Sequence, residues 1–334
     1  MADSTMKVAR LHRPGDVRLH DERRPVADGV DHSLVELTSV GLCGSDLHWF
    51  DEGSIGDAVL DRPLVLGHEM AGVIRGGPAD GTRVAIDPAI PCDACDVCRA
   101  GHRNLCPEVV FAGHGGCDGG LREFISYPTR LLHPYPDSLS DDEGALLEPL
   151  GVALHAVDLG HLRTGWSVGV VGCGPIGLMI VQLARLSGAS RVVVREPLAR
   201  RLETAVEFGA EVADDPGAAD SADVVFEVAG TDDGVDEALR MARPGARVVL
   251  VGIPAGDRTT FTASLARRKG LTLVMSRRMG EVYPRAIELA ARRKVHLAPL
   301  VSAAFPLARA GEAMAAAAAR DGLKVVVHPG RGGR

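Results

Sequence analysis

The chain has no apolar run of the ~18–20 residues that a membrane span requires. Its first residues, MADSTMKVAR, hold no hydrophobic signal core. Both absences point to a cytoplasmic protein. Positive charge is not in excess either. The formal net charge is −7, and a negative surface attracts neither nucleic acid nor an anionic membrane. Lysine is scarce, with four residues against many arginines, while alanine and glycine are abundant. We read that bias as genomic base composition, without functional meaning. What is present is ordinary for a globular chain: 46% hydrophobic and 24% charged residues. A length of 334 residues exceeds what one core usually organises, so two domains are expected.

Seven cysteines occur. In a reducing compartment a cysteine cluster more often binds metal than pairs. Four of them, Cys92, Cys95, Cys98 and Cys106, lie in the run PCDACDVCRAGHRNLCP. A C-x2-C step lets one turn present two sulfurs to one ion. Three ligands therefore come from one short turn, and the fourth returns after a loop. An iron–sulfur cluster uses similar steps, and Pro107 fits such a run, but that pattern closes with three residues where this one has seven. Disulfide pairing is the other alternative. Four thiolates close a tetrahedral zinc site and leave no position open to substrate. The lobe, residues 90–107, is thus read as structural, and the chemistry needs a second site.

The first half is rich in short β-like stretches broken by Gly and Pro, such as SLVELTSVG, PLVLGHEMAGVI and TRVAIDP. Such spacing predicts a small barrel-like β domain. A helical stretch follows, DSLSDDEGALLEPLGVALHAVDLG, with Ser140 placed to cap DDEG. After Gly165 the pattern alternates strand and helix through SVGVVGCGPIGLMIVQLARL, RVVVREP, DVVFEVAG and ARVVLVGIP. That alternation predicts a parallel, doubly wound α/β sheet. The C-terminal helix and strand carry no glycine loop and are expected to rejoin the first domain.

Gly172, Gly174, Pro175, Ile176 and Gly177 belong to a G-x-G-x-x-G run between an apolar strand and an apolar helix. The first glycine permits a tight turn, the second admits a pyrophosphate, and the third lets helix and strand pack closely. The next strand ends at Glu196, an acid placed to accept from ribose hydroxyls and to repel a 2′-phosphate, which favours NAD over NADP. Arg195, Arg200 and Arg201 crowd the same corner and leave NADP open.

Cys43 and His68 are the firm candidates for an open, catalytic zinc site. The third ligand is Glu69 or Glu148. If residues 64–74 form one strand, His68 and Glu69 point to opposite faces, and both reach one ion only if the backbone twists there. Glu148 sits in the apolar setting LLEPL, where an unpaired carboxylate is costly. Asp46 suits the orienting of His68. Zinc beside a dinucleotide suggests alcohol oxidation, with Ser45 and His48 as a proton relay.

Taken together, GLCGSDLHWFDEGSIGDAVLDRPLVLGHEMAG, EGALLEPLGVALHA, GCGPIGL and SRRMGEVYPRAIELAARRKVHLAPLVSAAFPL resemble the zinc-dependent medium-chain dehydrogenases, and among them the sorbitol and polyol dehydrogenases. The resemblance implies a GroES-like β-barrel catalytic domain from residues 1–152 and 289–334, around a Rossmann domain of 153–288. It implies two zinc ions per chain, one held by Cys43, His68 and Glu69 with a water or Glu148, the other by the four-cysteine lobe. NAD is the implied coenzyme. Ser45 and His48 match the relay positions, Arg201 an arginine near the cofactor, and Arg278 an arginine that holds polyol hydroxyls. Trp49 and Phe111 either line that pocket or pack in the core. A homodimer or homotetramer is implied, with a small polyol-like substrate. Three features depart from the family pattern: a short AGVIRGGPADGTRVA connection, the pair Trp49-Phe50, and Arg277 in place of an aromatic. The connection lies away from the ligands and bears on a loop only, whereas the other two alter the pocket and make sorbitol itself unsafe as a substrate; a cyclic polyol, an aminocyclitol or a small vicinal diol fits the family equally well. Threonine or butanediol dehydrogenase is the alternative within the class. A non-catalytic zinc-stabilised or nucleotide-binding module is the alternative outside it.

Overall fold

The computed structural model describes residues 5–27, 31–213 and 221–330. The chain forms two compact units, one of residues 1–148 and 283–334, the other of 149–282. Both limits fall a few residues earlier in the chain than the expected 152/153 and 288/289. The first of them has no break in the pattern to mark it, because the helix Leu147–Gly160 runs across it.

The first unit is built on a seven-stranded sheet. Its order is Leu132–Pro134, Arg83–Ile86, Glu69–Arg75, His32–Gly41, Lys324–His328, Val301–Pro306, with Phe124–Pro128 also paired to His32–Gly41. Within His32–Gly41, Val35, Leu37 and Val40 are fully buried: Val35 and Leu37 keep the period two of a strand with one face on a core, and an irregularity between Leu37 and Ser39 brings Val40 back to that face. That core includes Leu66, Met70, Ile86 and Ile125. Lys324–His328 pairs antiparallel with His32–Gly41 and parallel with Val301–Pro306. The C-terminal helix and strand thus rejoin the first half of the chain, as the sequence pattern suggests. Ser140 caps the helix Asp141–Ala145: its hydroxyl accepts from the Glu143 amide at 3.2 Å, and the Glu143 carboxylate accepts from its amide at 2.8 Å.

The second unit is a parallel six-stranded sheet in the order Glu211–Val212, Arg191–Arg195, Ser167–Val171, Ala222–Glu227, Ala242–Leu250, Thr272–Met275. Val168, Val170, Val192, Val194, Val224 and Val225 are all almost fully buried, as expected of parallel strands covered on both faces. Chain order reverses between Ser167–Val171 and Ala222–Glu227, which marks the switch point of a doubly wound sheet. No helix among the described residues is long and apolar enough to cross a membrane.

Candidate functional site

The cysteine lobe closes on itself. The sulfurs of Cys92, Cys95, Cys98 and Cys106 all lie within 4.8 Å of one another. Cys92–Cys98 is 4.0 Å and Cys92–Cys106 is 3.5 Å. A zinc–sulfur bond of ~2.3 Å in a tetrahedron sets sulfurs ~3.8 Å apart, so the spacing fits zinc, and all seven cysteines are free thiols. Local backbone supports the thiolate form: the Cys95 amide donates to Cys92 Sγ at 3.4 Å and the Cys98 amide to Cys95 Sγ at 3.4 Å. Backbone donors from Ala94 and Cys95 bring the Cys92 thiol down to about 7. Burial and the neighbouring thiols push Cys98 up to about 12. One thiol ionises readily and the next resists adding charge, which is how a set that needs a shared cation behaves.

A second cluster joins Cys43, His68 and Glu69, whose ligand atoms also lie within 4.8 Å of one another. The sequence-based difficulty of opposite faces does not arise, because the strand starts at Glu69 and not before it. Gly67 takes a left-handed φ of 87°, and a Cβ there would meet Val40 at 2.6 Å. That turn aims His68 and Glu69 at the same place. Asp46 is 1% exposed. It accepts from the amides of Cys43 at 2.9 Å and Gly67 at 3.1 Å, and lies 3.4 Å from His68 Nδ1. One carboxylate therefore ties both ligand-bearing segments together. Burial alone would raise Asp46, but His68 and the two amides outweigh it and hold the acid below its usual value. Burial alone would lower His68, yet Asp46 and the Cys43 thiol hold it well above its usual value. The ring keeps a proton where an ion would displace one.

Lys324 completes the surroundings, and sequence reasoning missed it. Its ammonium donates to Glu69 Oε1 at 2.6 Å, to Oε2 at 2.8 Å and to the Leu42 carbonyl at 2.9 Å. Lys324 is 4% exposed and Glu69 fully buried. Gly41 makes room for the carboxylate, since a Cβ there would sit 2.0 Å from Glu69 Oε2. The one available signal was a lone lysine opening the apolar run KVVVH in a chain poor in lysine. Glu148 is not in the three-ligand cluster, but it is 5% exposed and within electrostatic reach of His68, Glu69 and Lys324. Burial pushes it up to about 8.

In the second unit the glycine run turns as its spacing suggests. Gly172 has φ 92°, and a Cβ would meet the Ala229 amide nitrogen at 2.8 Å. A Cβ on Gly177 would lie 2.0 Å from the Gly172 carbonyl oxygen. Gly174 caps the helix Pro175–Leu186, with Pro175 and Ile176 in its first turn. Among the described residues, chain neighbours aside, only Arg201, at 3.7 Å, approaches its Cβ position. The helix N-terminus is thus open to a phosphate, with a guanidinium beside it. Glu196 accepts from the Cys173 amide at 2.7 Å and the Leu198 amide at 3.0 Å. Arg195 turns away to Glu237 at 3.0 Å.

Comparison with known proteins decides the family. A model described as zinc-binding dehydrogenase matches residues 175–292, and one described as alcohol dehydrogenase GroES-like domain matches residues 29–137. The sorbitol dehydrogenase of Bacillus subtilis (strain 168) is 33% identical, covering 98% of each chain. The chain belongs to the zinc-dependent medium-chain dehydrogenases. Among solved structures, L-idonate 5-dehydrogenase from Escherichia coli matches with TM-score 0.90 and 28% identity over 97% of this chain and 98% of that one. A zinc-binding dehydrogenase structure from Sinorhizobium meliloti 1021, bound to NADP, matches with TM-score 0.87 and 32% identity over 98% and 100%. The first unit is accordingly the GroES-like domain and the second the Rossmann domain, and the family's cofactors are zinc and NAD(P).

In this medium-chain dehydrogenase, Ser45 and His48 lie three residues apart on the helix Gly44–Glu52, hence on one face. His48 Nδ1 is 2.9 Å from Glu52. Phe111 stands with its ring centroid 5.3 Å from that of His68, beside the three-ligand cluster. Trp49 is 2% exposed within the hydrophobic core, its ring edge-on to His114. Of the two readings of Trp49, burial therefore favours core packing over a place at the pocket surface. Arg278 lies after the strand Thr272–Met275 with a left-handed φ of 54°. A non-glycine residue held there costs energy and is often found where a side chain must be aimed.

Proposed function

We propose that this chain is a zinc-dependent oxidoreductase that moves a hydride between a nicotinamide dinucleotide, NAD before NADP, and a secondary hydroxyl or ketone of a polyol-like substrate. The observation that carries this reading is the convergence of a thiol, an imidazole and a carboxylate, from Cys43, His68 and Glu69, within 4.8 Å. Three donors of mixed type suit zinc with a position left open. Relatives named for sorbitol and idonate support the substrate class.

Bound by these three residues, zinc supplies Lewis acidity that lowers the pKa of a substrate hydroxyl. Asp46 holds the Nδ1 side of His68 and leaves Nε2 for the ion. Glu148 is the buried carboxyl available to complete the shell. Ser45 accepts the proton that the hydroxyl loses and passes it to His48. Glu52 holds His48 Nδ1–H, so Nε2 is the accepting nitrogen. Phe111 shields the site from water. Arg278 offers a fixed donor fork to vicinal hydroxyls. Glu196 accepts from the adenosine ribose, while Arg201 and the amides of Gly174, Ile176 and Gly177 face the pyrophosphate. A homo-oligomer in the cytoplasm fits the family and the charge.

A panel of sugar alcohols, cyclitols and vicinal diols, each with NAD and NADP, tests the reading. We expect reduced nicotinamide from at least one polyol, faster with NAD. The reading fails if polyols are inert while L-threonine or a simple primary alcohol turns over, or if the protein loaded with two zinc ions oxidises none of them.

A further inference from the structure

Glu227 ends the strand Ala222–Glu227 and is 1% exposed. No arginine or lysine among the described residues pairs with it. Its charge is instead met by backbone: Oε1 accepts from the amides of Ala229 at 2.8 Å and Gly230 at 2.7 Å, and the Thr231 amide also holds the carboxylate, while the amides of Val251 at 2.8 Å and Gly252 at 3.1 Å donate to the main-chain carbonyl of Glu227. These donors come from two loops, one after Ala222–Glu227 and one after Ala242–Leu250. A concave set of amides around a carboxylate is the same device that proteins aim outward at anions, here turned inward on the protein's own side chain.

The loops it gathers are packed backbone to backbone. A Cβ on Gly252 would sit 2.1 Å from the Gly230 amide nitrogen and 2.9 Å from Glu227 Oε2. Gly230 has φ 69°, and a Cβ there would meet the Ile253 carbonyl oxygen at 2.5 Å. Across the switch point, a Cβ on Gly172 would meet the Ala229 amide nitrogen at 2.8 Å, and the Val228 amide donates to the Val171 carbonyl at 2.8 Å. The first glycine of the phosphate loop therefore rests on the turn that Glu227 holds. In a doubly wound sheet each half takes one mononucleotide at the carboxyl ends of its strands. Glu196 follows Arg191–Arg195 in one half. The Glu227 loops lie in the other half, which is left for the nicotinamide mononucleotide.

We infer that Glu227 is a positioning residue for the nicotinamide half of the coenzyme: its buried carboxylate fixes the turn Ala229–Thr231, against which the segment Val251–Ile253 packs, its amides at Val251 and Gly252 held by the Glu227 main-chain carbonyl. This rests on the reading of the chain as a nicotinamide-dependent enzyme. Glu227→Gln keeps the volume and one accepting oxygen, but sets an NH2 against backbone donors. Glu227→Ala removes the anchor.

The test compares NADH with ADP-ribose, which lacks the nicotinamide, by titration of the zinc-loaded protein. For Glu227→Gln we expect the NADH dissociation constant to rise about ten-fold or more, the loss that goes with one or two broken buried hydrogen bonds. ADP-ribose, whose pyrophosphate meets the loop that rests on the same turn, should lose clearly less affinity than NADH, zinc content should stay at two per chain, and Glu227→Ala should show the same split more strongly. Unchanged NADH binding in Glu227→Gln overturns the inference. Equal loss of both ligands also overturns it, because it shows general damage to the domain. If the unaltered protein binds ADP-ribose but not NADH, or neither, the functional reading falls and takes this inference with it. A failure of Glu227→Ala to fold leaves the decision to Glu227→Gln.

Discussion

The two metal-type clusters lie in the same compact unit and are built in opposite ways. The cysteine lobe draws four like donors from one short stretch, Cys92 to Cys106, and two of the four are only half-buried. The Cys43–His68–Glu69 cluster draws three unlike donors from two segments and surrounds them with buried charge: Asp46, Glu148 and Lys324 are each at most 5% exposed. A closed set of like donors needs nothing but its own geometry. An open set in a dry site needs neighbours to fix each donor's direction and charge. On the proposed reading, the difference separates a part that holds the fold from a part equipped for chemistry.

Removing one cysteine from each cluster is the sharpest way to break this comparison. Cys43→Ser should lower turnover on the order of 10^3-fold, the effect of losing several kcal/mol of charge stabilisation. It should drop zinc from two per chain to one and leave NADH binding and melting temperature nearly unchanged. Cys106→Ser should do the reverse, also dropping one zinc but lowering the melting temperature by about 10 °C with turnover of the folded fraction largely kept. Metal analysis, steady-state rates and calorimetry on both variants decide it. If the two variants lose activity alike, the division of labour is wrong.

Lys324 tests whether the buried charges belong to the open site. Lys324→Met leaves Glu69 buried without its cation, which costs about 3–5 kcal/mol when nothing replaces it. A bound zinc ion does replace it in part. The variant should therefore be destabilised most after chelation and much less when zinc is restored, whereas the unaltered protein should show a smaller gap. Denaturant titrations with and without chelator measure this. Equal destabilisation in both conditions would show that the ammonium serves only the fold.

These contrasts also explain how much could be read from sequence. The lobe was legible because its ligands are close in the chain and their spacing alone sets the geometry. The glycine run was legible for the same reason. Cys43 and His68 could be named, but whether Glu69 reaches the same point depended on the φ of Gly67, which no residue pattern states. Lys324 was invisible as a partner because it lies 255 positions from Glu69, and only the pairing of Lys324–His328 with His32–Gly41 brings it there. The domain limit was blurred because Leu147–Gly160 is one continuous helix. Trp49 was ambiguous because apolar residues of a pocket and of a core look alike until burial is known.

A half-buried histidine, His133, sharpens what Asp46 does for His68, with the smallest expected effect. His133 stacks on Tyr283 at 4.2 Å between ring centroids, with 7° between the planes, and its Nε2 is buried without a hydrogen-bond partner. Burial, and after it Arg103, lowers His133 to about 4 from an ordinary 6.5, the opposite direction to His68. The sign follows from linkage: below pH 6.5 the unfolded chain takes up a proton that the folded chain refuses until about pH 4. Stability contributed by the neutral ring is thus complete above pH 6.5 and is lost as the pH falls toward 4. Allowing for partial exposure, the loss is about 2 kcal/mol. His133→Phe keeps the stacking and has no proton to take. It should match the unaltered protein at pH 7 and exceed it by about 1–2 kcal/mol at pH 4.5, as read by urea titration at the two values. Parallel losses on acidification in both proteins would show that His133 is not the group refusing the proton. Burial alone would then not separate it from a histidine held by a carboxylate.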